Sequence, residues 1–115
     1  MKIGFIGLGN VGGKLAGSLH RNKFDLTVYD LDAAITDQFK SKGVNVENSA
    51  GDLVKNVDVV ITCLPSPKIC ADVMLGENGI LKNISKDKIW IEMSTTDQKE
   101  VIRLGKLVAE KNALR

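Results

Sequence analysis

The sequence predicts an α/β fold in which a doubly wound parallel sheet carries helices on both faces. Five short apolar runs alternate with helical patterns along the 115 residues, as parallel strands and their helical crossovers do. The run 57–64 is nearly continuous and β-branched, which is typical of a central strand covered on both faces. No repeat, low-complexity segment or linker interrupts the chain, so residues 1–115 form one predicted domain.

A glycine-rich turn follows the first predicted strand. The apolar run 3–6 leads into residues 7–12, Gly-Leu-Gly-Asn-Val-Gly, which have the G-x-G-x-x-G spacing. A helical pattern comes next, and its predicted apolar face carries Val11, Leu15 and Leu19. The second apolar run ends at Asp30, so strand, turn, helix, strand and acid follow in the order of a dinucleotide-binding unit.

Each glycine of this turn has a separate physical task. Gly7 can take the backbone angles of a tight turn, Gly9 lets the main chain approach a pyrophosphate, and Gly12 lets the helix lie close to the sheet. The amides of the first helical turn point at the phosphates, where the helix dipole favours negative charge. We therefore expect a cofactor to contact the whole turn: Gly7, Leu8, Gly9, Asn10, Val11 and Gly12.

Asp30 follows the second predicted strand and can accept hydrogen bonds from the adenosine ribose. Its charge would repel a 2′-phosphate at the same place. No arginine or lysine comes directly after it, since residues 31–33 are Leu, Asp and Ala. The sequence thus predicts NAD as the cofactor and makes NADP the less favoured alternative.

Caps and helix breakers mark the next elements. Asp32 is the predicted N-cap of a helix that ends before Gly43, and a short third strand covers 44–46. Ser49 begins a brief helix in an S-x-x-D pattern. Pro65 ends the fourth strand.

Two further helices and a strand complete the predicted fold. Ser66 caps a helix that starts at Pro67 and carries Ile69 and Val73 on one face. The fifth strand is predicted at 89–93. Thr95 and Gln98 form a T-x-x-Q capping box for the last helix, whose apolar stripe contains Val101, Leu104 and Val108.

The carboxyl ends of parallel strands meet at one edge of a sheet, where ligands of such folds bind. Four predicted strand ends carry distinctive features, and we expect them to line one crevice. These are the turn 7–12, Asp30, the pair Leu64-Pro65 and the pair Ser94-Thr95.

Composition argues against several classes of protein. The net charge of +2 comes from 16 basic and 14 acidic residues spread along the chain, and only 4% of residues are aromatic, so no nucleic-acid patch is predicted. No apolar run reaches membrane-spanning length, and Met1-Lys2 leads directly into the first strand, so neither a membrane span nor a targeting peptide is predicted.

Cys63 and Cys70 lack metal or redox spacing and are interpreted as reduced, buried thiols. We expect a cytoplasmic location.

The chain resembles the β-hydroxyacid dehydrogenases, specifically the amino-terminal, Rossmann-type domain of 3-hydroxyisobutyrate dehydrogenase and its relatives, and it is also similar to the start of 6-phosphogluconate dehydrogenase. The resemblance covers essentially all residues. It is carried by the segments 4–12, 28–30, 64–65, 79–81 and 92–95, which read GFIGLGNVG, VYD, LP, GIL and EMST.

The resemblance implies further roles. Leu64 and Pro65 would run past the nicotinamide-side ribose, Thr95 would bond near the nicotinamide, and Ser94 would lie on the substrate side. The family's catalytic lysine and all-helical second domain would lie beyond Arg115, so no catalytic residue and no metal ligand is predicted within these 115 residues. We expect them to bind NAD without turnover, with an uncovered sheet edge that favours homo-oligomers.

The parent reaction implied by the resemblance is the reversible oxidation of a small 3-hydroxy acid such as 3-hydroxyisobutyrate. Two alternatives stay open at this point. One is an NADPH-dependent reductase of semialdehydes or glyoxylate in the same family. The other is a non-catalytic domain that senses a nucleotide, although that function gives no reason for Leu64-Pro65 together with Ser94-Thr95.

Overall fold

The computed structural model describes residues 1–93, 98–111 and 113, which form five strands and six helices. In chain order they are β1 (Lys2–Ile6), α1 (Asn10–Arg21), β2 (Asp25–Tyr29), α2 (Ala33–Ser41), β3 (Asn45–Val46), α3 (Ala50–Lys55), β4 (Val59–Thr62), α4 (Pro67–Leu75), α5 (Ile80–Asn83), β5 (Ile89–Glu92) and α6 (Gln98–Glu110). None of the helices in this part of the chain is long and apolar enough to cross a membrane.

The strands form one parallel sheet in the order β3-β2-β1-β4-β5. β2 and β3 are added on one side of β1, and the chain then returns to add β4 and β5 on the other side. The order therefore reverses between β1 and β4, which is where ligands of doubly wound sheets bind. The arrangement confirms the predicted α/β fold.

Alternation along the strands divides the core into two apolar clusters, because successive side chains point to opposite faces of a sheet. In β1, Ile3 and Phe5 pack in one cluster with Val28 of β2, while Ile6 packs in the other with Val60 of β4. The first cluster also contains Ala16 of α1 and Phe39 of α2. The second contains buried residues of α3, α4, α5 and α6.

Three predicted helix caps are confirmed by their hydrogen bonds. The side chain of Asp32 accepts from the backbone N–H of Ala34 at 3.0 Å. Ser49 accepts from Asp52 N–H at 3.1 Å, and Ser66 accepts from Ile69 N–H at 3.2 Å. In the predicted capping box of α6, Thr95 lies outside the described residues.

The predicted apolar face of α1 is wrong at Val11, whose side chain is 64% exposed. Gly12 and Ala16 are the buried residues of this helix, and Leu15 and Leu19 are half-buried. The physical reason is that Val11, in the first turn of α1, faces the crevice described below and does not pack on the sheet. The four-residue α5 was also not predicted, because no side-chain cap marks its start.

The two cysteines are free and differ in burial. Cys70 of α4 is buried, and its thiol donates to Oε2 of Glu92 at 2.8 Å. Cys63 is only half-buried, so the prediction of two buried thiols is right for Cys70 and wrong for Cys63. Cys63 directly follows β4 and lines the crevice described below.

A buried hydrogen bond joins β4 to β5. Nε1 of Trp90 donates to Oγ1 of Thr62 at 3.0 Å, and the two residues are 2% and 0% exposed. Replacing Thr62 by valine leaves the indole N–H without its acceptor. We expect Thr62→Val to lower the free energy of unfolding by about 1–3 kcal/mol in urea denaturation followed by circular dichroism.

The control is the same substitution in a Trp90→Phe background, which has no indole donor. There Thr62→Val should cost less than about 1 kcal/mol, because no buried donor is left unpaired. Equal costs in both backgrounds would contradict the assigned role of this hydrogen bond.

Candidate functional site

A crevice of about 710 Å³ lies at the carboxyl ends of β1, β2 and β4. Its walls come from the ends of these strands, the loops after them, the helices α1, α2 and α4, and Met93 after β5. The lining residues are Ile6, Gly7, Gly9, Asn10, Val11, Gly12, Tyr29, Asp30, Leu31, Asp32, Ile35, Cys63, Leu64, Pro65, Ile69, Val73 and Met93. The structure thus brings together three of the four strand ends that the sequence predicts to meet, and Ser94 and Thr95 of the fourth lie outside the described residues.

The turn between β1 and α1 is held by close backbone contacts. Gly7 has φ +100°, and a Cβ there would overlap the carbonyl oxygen of Cys63. A Cβ on Gly12 would overlap the carbonyl oxygen of Gly7. The N–H of Gly7 donates to the carbonyl of Tyr29 at 3.1 Å, which connects the turn to the end of β2.

Gly9 differs from these two glycines. A Cβ built on Gly9 would meet no atom within 4 Å, and its backbone is extended. The space beside Gly9 is part of the crevice. The absence of a side chain here therefore opens room for a ligand, while at Gly7 and Gly12 it allows the backbone to pack.

The N-terminus of α1 points into this space. Gly9 is its N-cap and supplies no side-chain acceptor, and the first turn contains no acidic residue. A helix start without an anionic cap has donors and a positive dipole end to offer. Asn10, Val11 and Gly12 of that turn line the crevice, so it can hold an anion with backbone groups.

Asp30 lies directly after β2, at the other side of the turn. Its Oδ2 accepts from the N–H of Leu8 at 2.7 Å, and its Oδ1 accepts from the N–H of Asp32 at 2.8 Å. These two bonds orient the carboxylate. Each oxygen keeps lone-pair capacity for a second donor, since a carboxylate has about four acceptor sites.

Leu8 is the turn residue that does not line the crevice. The reason is that its side chain is 3% exposed and packs in the core cluster of Ile3 and Phe5. Its N–H is bonded to Asp30. Its expected contact with a cofactor stays a prediction, and in the structure its N–H holds the Asp30 carboxylate in place.

Leu64 and Pro65 form the wall next to the turn. Leu64 is 7% exposed and Pro65 is exposed, and both line the crevice as predicted. Their expected contact with a ribose stays a prediction. Burial, and secondly the charge of Glu92, raise the pKa of the neighbouring Cys63 thiol.

The charges and dipoles around the crevice differ from one side to the other. Burial, and secondly the charge of Asp30, raise the pKa of the Tyr29 hydroxyl, so both Tyr29 and Cys63 are neutral at neutral pH. The charged side chains among the described lining residues are Asp30 and Asp32, and none is a lysine or arginine. The crevice thus has the dipole of α1 on one side and two carboxylates on the other.

Sequence reasoning missed several lining residues. Ile69 and Val73 were predicted only as the apolar face of α4, yet both border the crevice, as do Ile35 of α2 and Met93 after β5. The available signal was that Met93 directly follows β5, while the other three residues lie on helices that follow strand ends. Among the described residues, no three His, Cys, Asp or Glu side chains are grouped to hold a metal ion.

Comparison with known proteins gives a consistent result. A family profile described as the NAD binding domain of 6-phosphogluconate dehydrogenase matches residues 2–114. The mitochondrial 3-hydroxyisobutyrate dehydrogenase of Rattus norvegicus is 37% identical over 112 residues, which are 97% of this chain and 33% of the relative. The chain spans about a third of the length of the curated 3-hydroxyisobutyrate dehydrogenases that it matches.

Two solved structures have nearly the same fold. The 3-hydroxyisobutyrate dehydrogenase of Mycobacterium tuberculosis, solved with L-serine, superposes with a TM-score of 0.89 at 25% identity, over 98% of this chain and 38% of that one. The imine reductase of Myxococcus stipitatus superposes with a TM-score of 0.88 at 12% identity, over 99% and 39%. That enzyme was solved with NADP+ and, as a variant, with NAD+, but at this identity the likeness shows the fold alone.

The backbone contacts of α1 make a prediction about stability. Gly12→Ala should lower the free energy of unfolding by about 1–3 kcal/mol, because its methyl group overlaps the Gly7 carbonyl. Gly9→Ala should cost less than about 1 kcal/mol, since its methyl group meets open space. Denaturant unfolding of the ligand-free protein measures both.

Gly17→Ala in the same helix is the matched control. The nearest atom to a Cβ at Gly17 is the mobile end of Arg21, so the substitution should stabilise the protein by up to about 1 kcal/mol through helix propensity. A Gly12→Ala protein as stable as Gly17→Ala would contradict the close contact of α1 with the turn.

Proposed function

Because the chain belongs to the family of the NAD binding domain of 6-phosphogluconate dehydrogenase, we propose that it is the NAD-binding part of an oxidoreductase acting on a small 3-hydroxy acid. The observation that carries the proposal is the pairing of an uncapped helix start beside Gly9 with an oriented carboxylate at Asp30. The first suits a diphosphate and the second suits a ribose. Both border one crevice.

The diphosphate would lie at the N-terminus of α1. The space beside Gly9 is what a Cβ would fill, and the amides of Asn10, Val11 and Gly12 are the donors that this helix start offers. No basic side chain lines the described part of the crevice. Backbone donors and the helix dipole would therefore hold the phosphates, as in other dinucleotide sites.

The adenosine ribose would bond to Asp30. Because the amides of Leu8 and Asp32 each take one lone pair, the carboxylate is held in one orientation before a ligand arrives. Less ordering is then needed on binding, which favours affinity. The negative charge supports NAD over NADP as the cofactor of this chain.

The nicotinamide side of the proposal rests on fewer residues. Leu64 and Pro65 would cover the second ribose, and Thr95 and Ser94 keep their proposed roles near the nicotinamide and the substrate. When NAD is bound, its nicotinamide supplies the hydride acceptor. The residues of this chain would position that ring and shield it from water, and they include no proposed base.

The substrate class comes from the relatives, several of which are named 3-hydroxyisobutyrate dehydrogenases. The chain spans about a third of the length of these relatives, and we propose that residues 1–115 bind NAD without turnover. A homo-oligomer and a cytoplasmic location also stay proposals, and the rat relative is a mitochondrial protein by name.

Calorimetric titration with NAD tests the proposal directly. The unaltered chain should bind NAD, and Gly9→Ala should weaken binding by at least about 100-fold, because its methyl group stands where the diphosphate would lie. Gly17→Ala, on the far part of α1, should leave the affinity within about twofold. No binding by the unaltered chain, or equal affinities for Gly9→Ala and Gly17→Ala, would contradict the site.

Asp30→Ala should reduce the preference for NAD over NADP by about tenfold, because it removes both a ribose acceptor and a charge facing a 2′-phosphate. Paired titrations with NAD and NADP measure the ratio of the two dissociation constants. Asp30→Asn is the control, since it loses the charge but keeps an oxygen for one backbone amide. An unchanged ratio in both variants would remove Asp30 from the proposed role.

A further inference from the structure

We infer that Asp32 is a second specificity-determining carboxylate, which acts with Asp30 to exclude a ligand that carries a phosphate on the adenosine 2′-oxygen. The inference rests on the proposed function, because it assumes that the adenosine ribose lies at the end of β2. Beyond the charge of Asp30, it adds a second negative charge and a helix start that is already occupied. The contacts of the 30–32 turn carry it.

The turn after β2 brings the two acids to the same rim of the crevice. Asp30 and Asp32 both line it, and the backbone N–H of Asp32 donates to Oδ1 of Asp30 at 2.8 Å. This bond closes the turn, so the position of the Asp32 backbone depends on the Asp30 carboxylate. A group bonded to Asp30 would therefore stand beside a second negative charge.

Asp32 also occupies the helix start that would otherwise attract a phosphate. Its side chain accepts from Ala34 N–H at 3.0 Å, and its carbonyl accepts from Ile35 N–H and Thr36 N–H, both at 3.2 Å. The nine-residue α2 thus begins with the N–H groups of residues 34–36 bonded to Asp32 and with an anion at its positive dipole end. This is the reverse of α1, whose N-cap is glycine without a side-chain acceptor.

The two helix starts therefore act differently on the phosphates of a ligand. The start of α1 favours the diphosphate, while the start of α2 opposes a third phosphate. No lysine or arginine among the described lining residues offsets the two carboxylates. Removing Asp30 alone would leave one charge and one occupied helix start, so the preference for NAD should weaken without reversing.

Asp32→Ser separates the charge of Asp32 from its capping role. Serine is also a good N-cap, so the helix start stays satisfied while the charge is lost. We expect the dissociation constant for NADP to fall about tenfold and that for NAD to change less than about twofold. The NADP effect should shrink as salt rises, because screening weakens charge repulsion.

Asp37→Asn is the matched control, since Asp37 is an exposed acid on the same helix that does not line the crevice. It changes the net charge equally and should leave the ratio of the two constants unchanged. Asp32→Asn, which also caps well, replaces Asp32→Ser if the serine variant unfolds. The comparison is repeated in the Asp30→Asn background, which lowers the repulsion of NADP but keeps a side-chain oxygen for a backbone amide of the turn.

The outcomes separate the inference from the proposed function. Tighter NADP binding in Asp30→Asn/Asp32→Ser than in Asp30→Asn supports a role for Asp32. Equal NADP affinity in those two proteins, or an equal effect of Asp37→Asn, overturns the inference while leaving the NAD site intact. Failure of the unaltered chain to bind NAD overturns the proposed function itself.

Discussion

The contact of α1 with the backbone at the ends of β1 and β4 determines the shape of the crevice. Side chains are excluded at Gly7 and Gly12 because the carbonyls of Cys63 and Gly7 occupy the space that a Cβ would need. The helix can then begin directly behind the sheet edge, with its positive end facing the crevice. The proposed diphosphate site depends on that placement, since a larger residue at Gly12 would push the helix away from the turn, and one at Gly7 would push the turn away from Cys63.

The charge pattern follows from how the next helix begins. Glycine precedes α1 and aspartate precedes α2. Of the two helix starts that border the crevice, the first therefore offers a positive dipole end, and the second carries a negative side chain. The Asp30 carboxylate joins them, since it bonds Leu8 on one side and Asp32 on the other. The same few hydrogen bonds therefore stabilise the turns and define which groups a ligand can bring to each end.

Local signals made much of this structure predictable. The caps at Asp32, Ser49 and Ser66, and the strand before the glycine turn, depend on neighbouring residues and follow directly from the sequence. Val11 was misjudged because helical periodicity does not reveal where the supporting sheet ends. The bond from Leu8 to Asp30 joins residues 22 positions apart, and no local pattern indicates it. The inward position of Ile69 and Val73 likewise depends on how α4 packs.

The indole of Trp90 belongs to the chain's single tryptophan, held in the core by Thr62. Its fluorescence therefore comes from one indole that is buried away from water. Trp90 lies three positions before Met93, which lines the crevice. A reduced nicotinamide absorbs in the wavelength range where buried indoles emit. If NADH occupies the proposed site, it would thus quench that emission by energy transfer, and the indole would report binding without any attached dye.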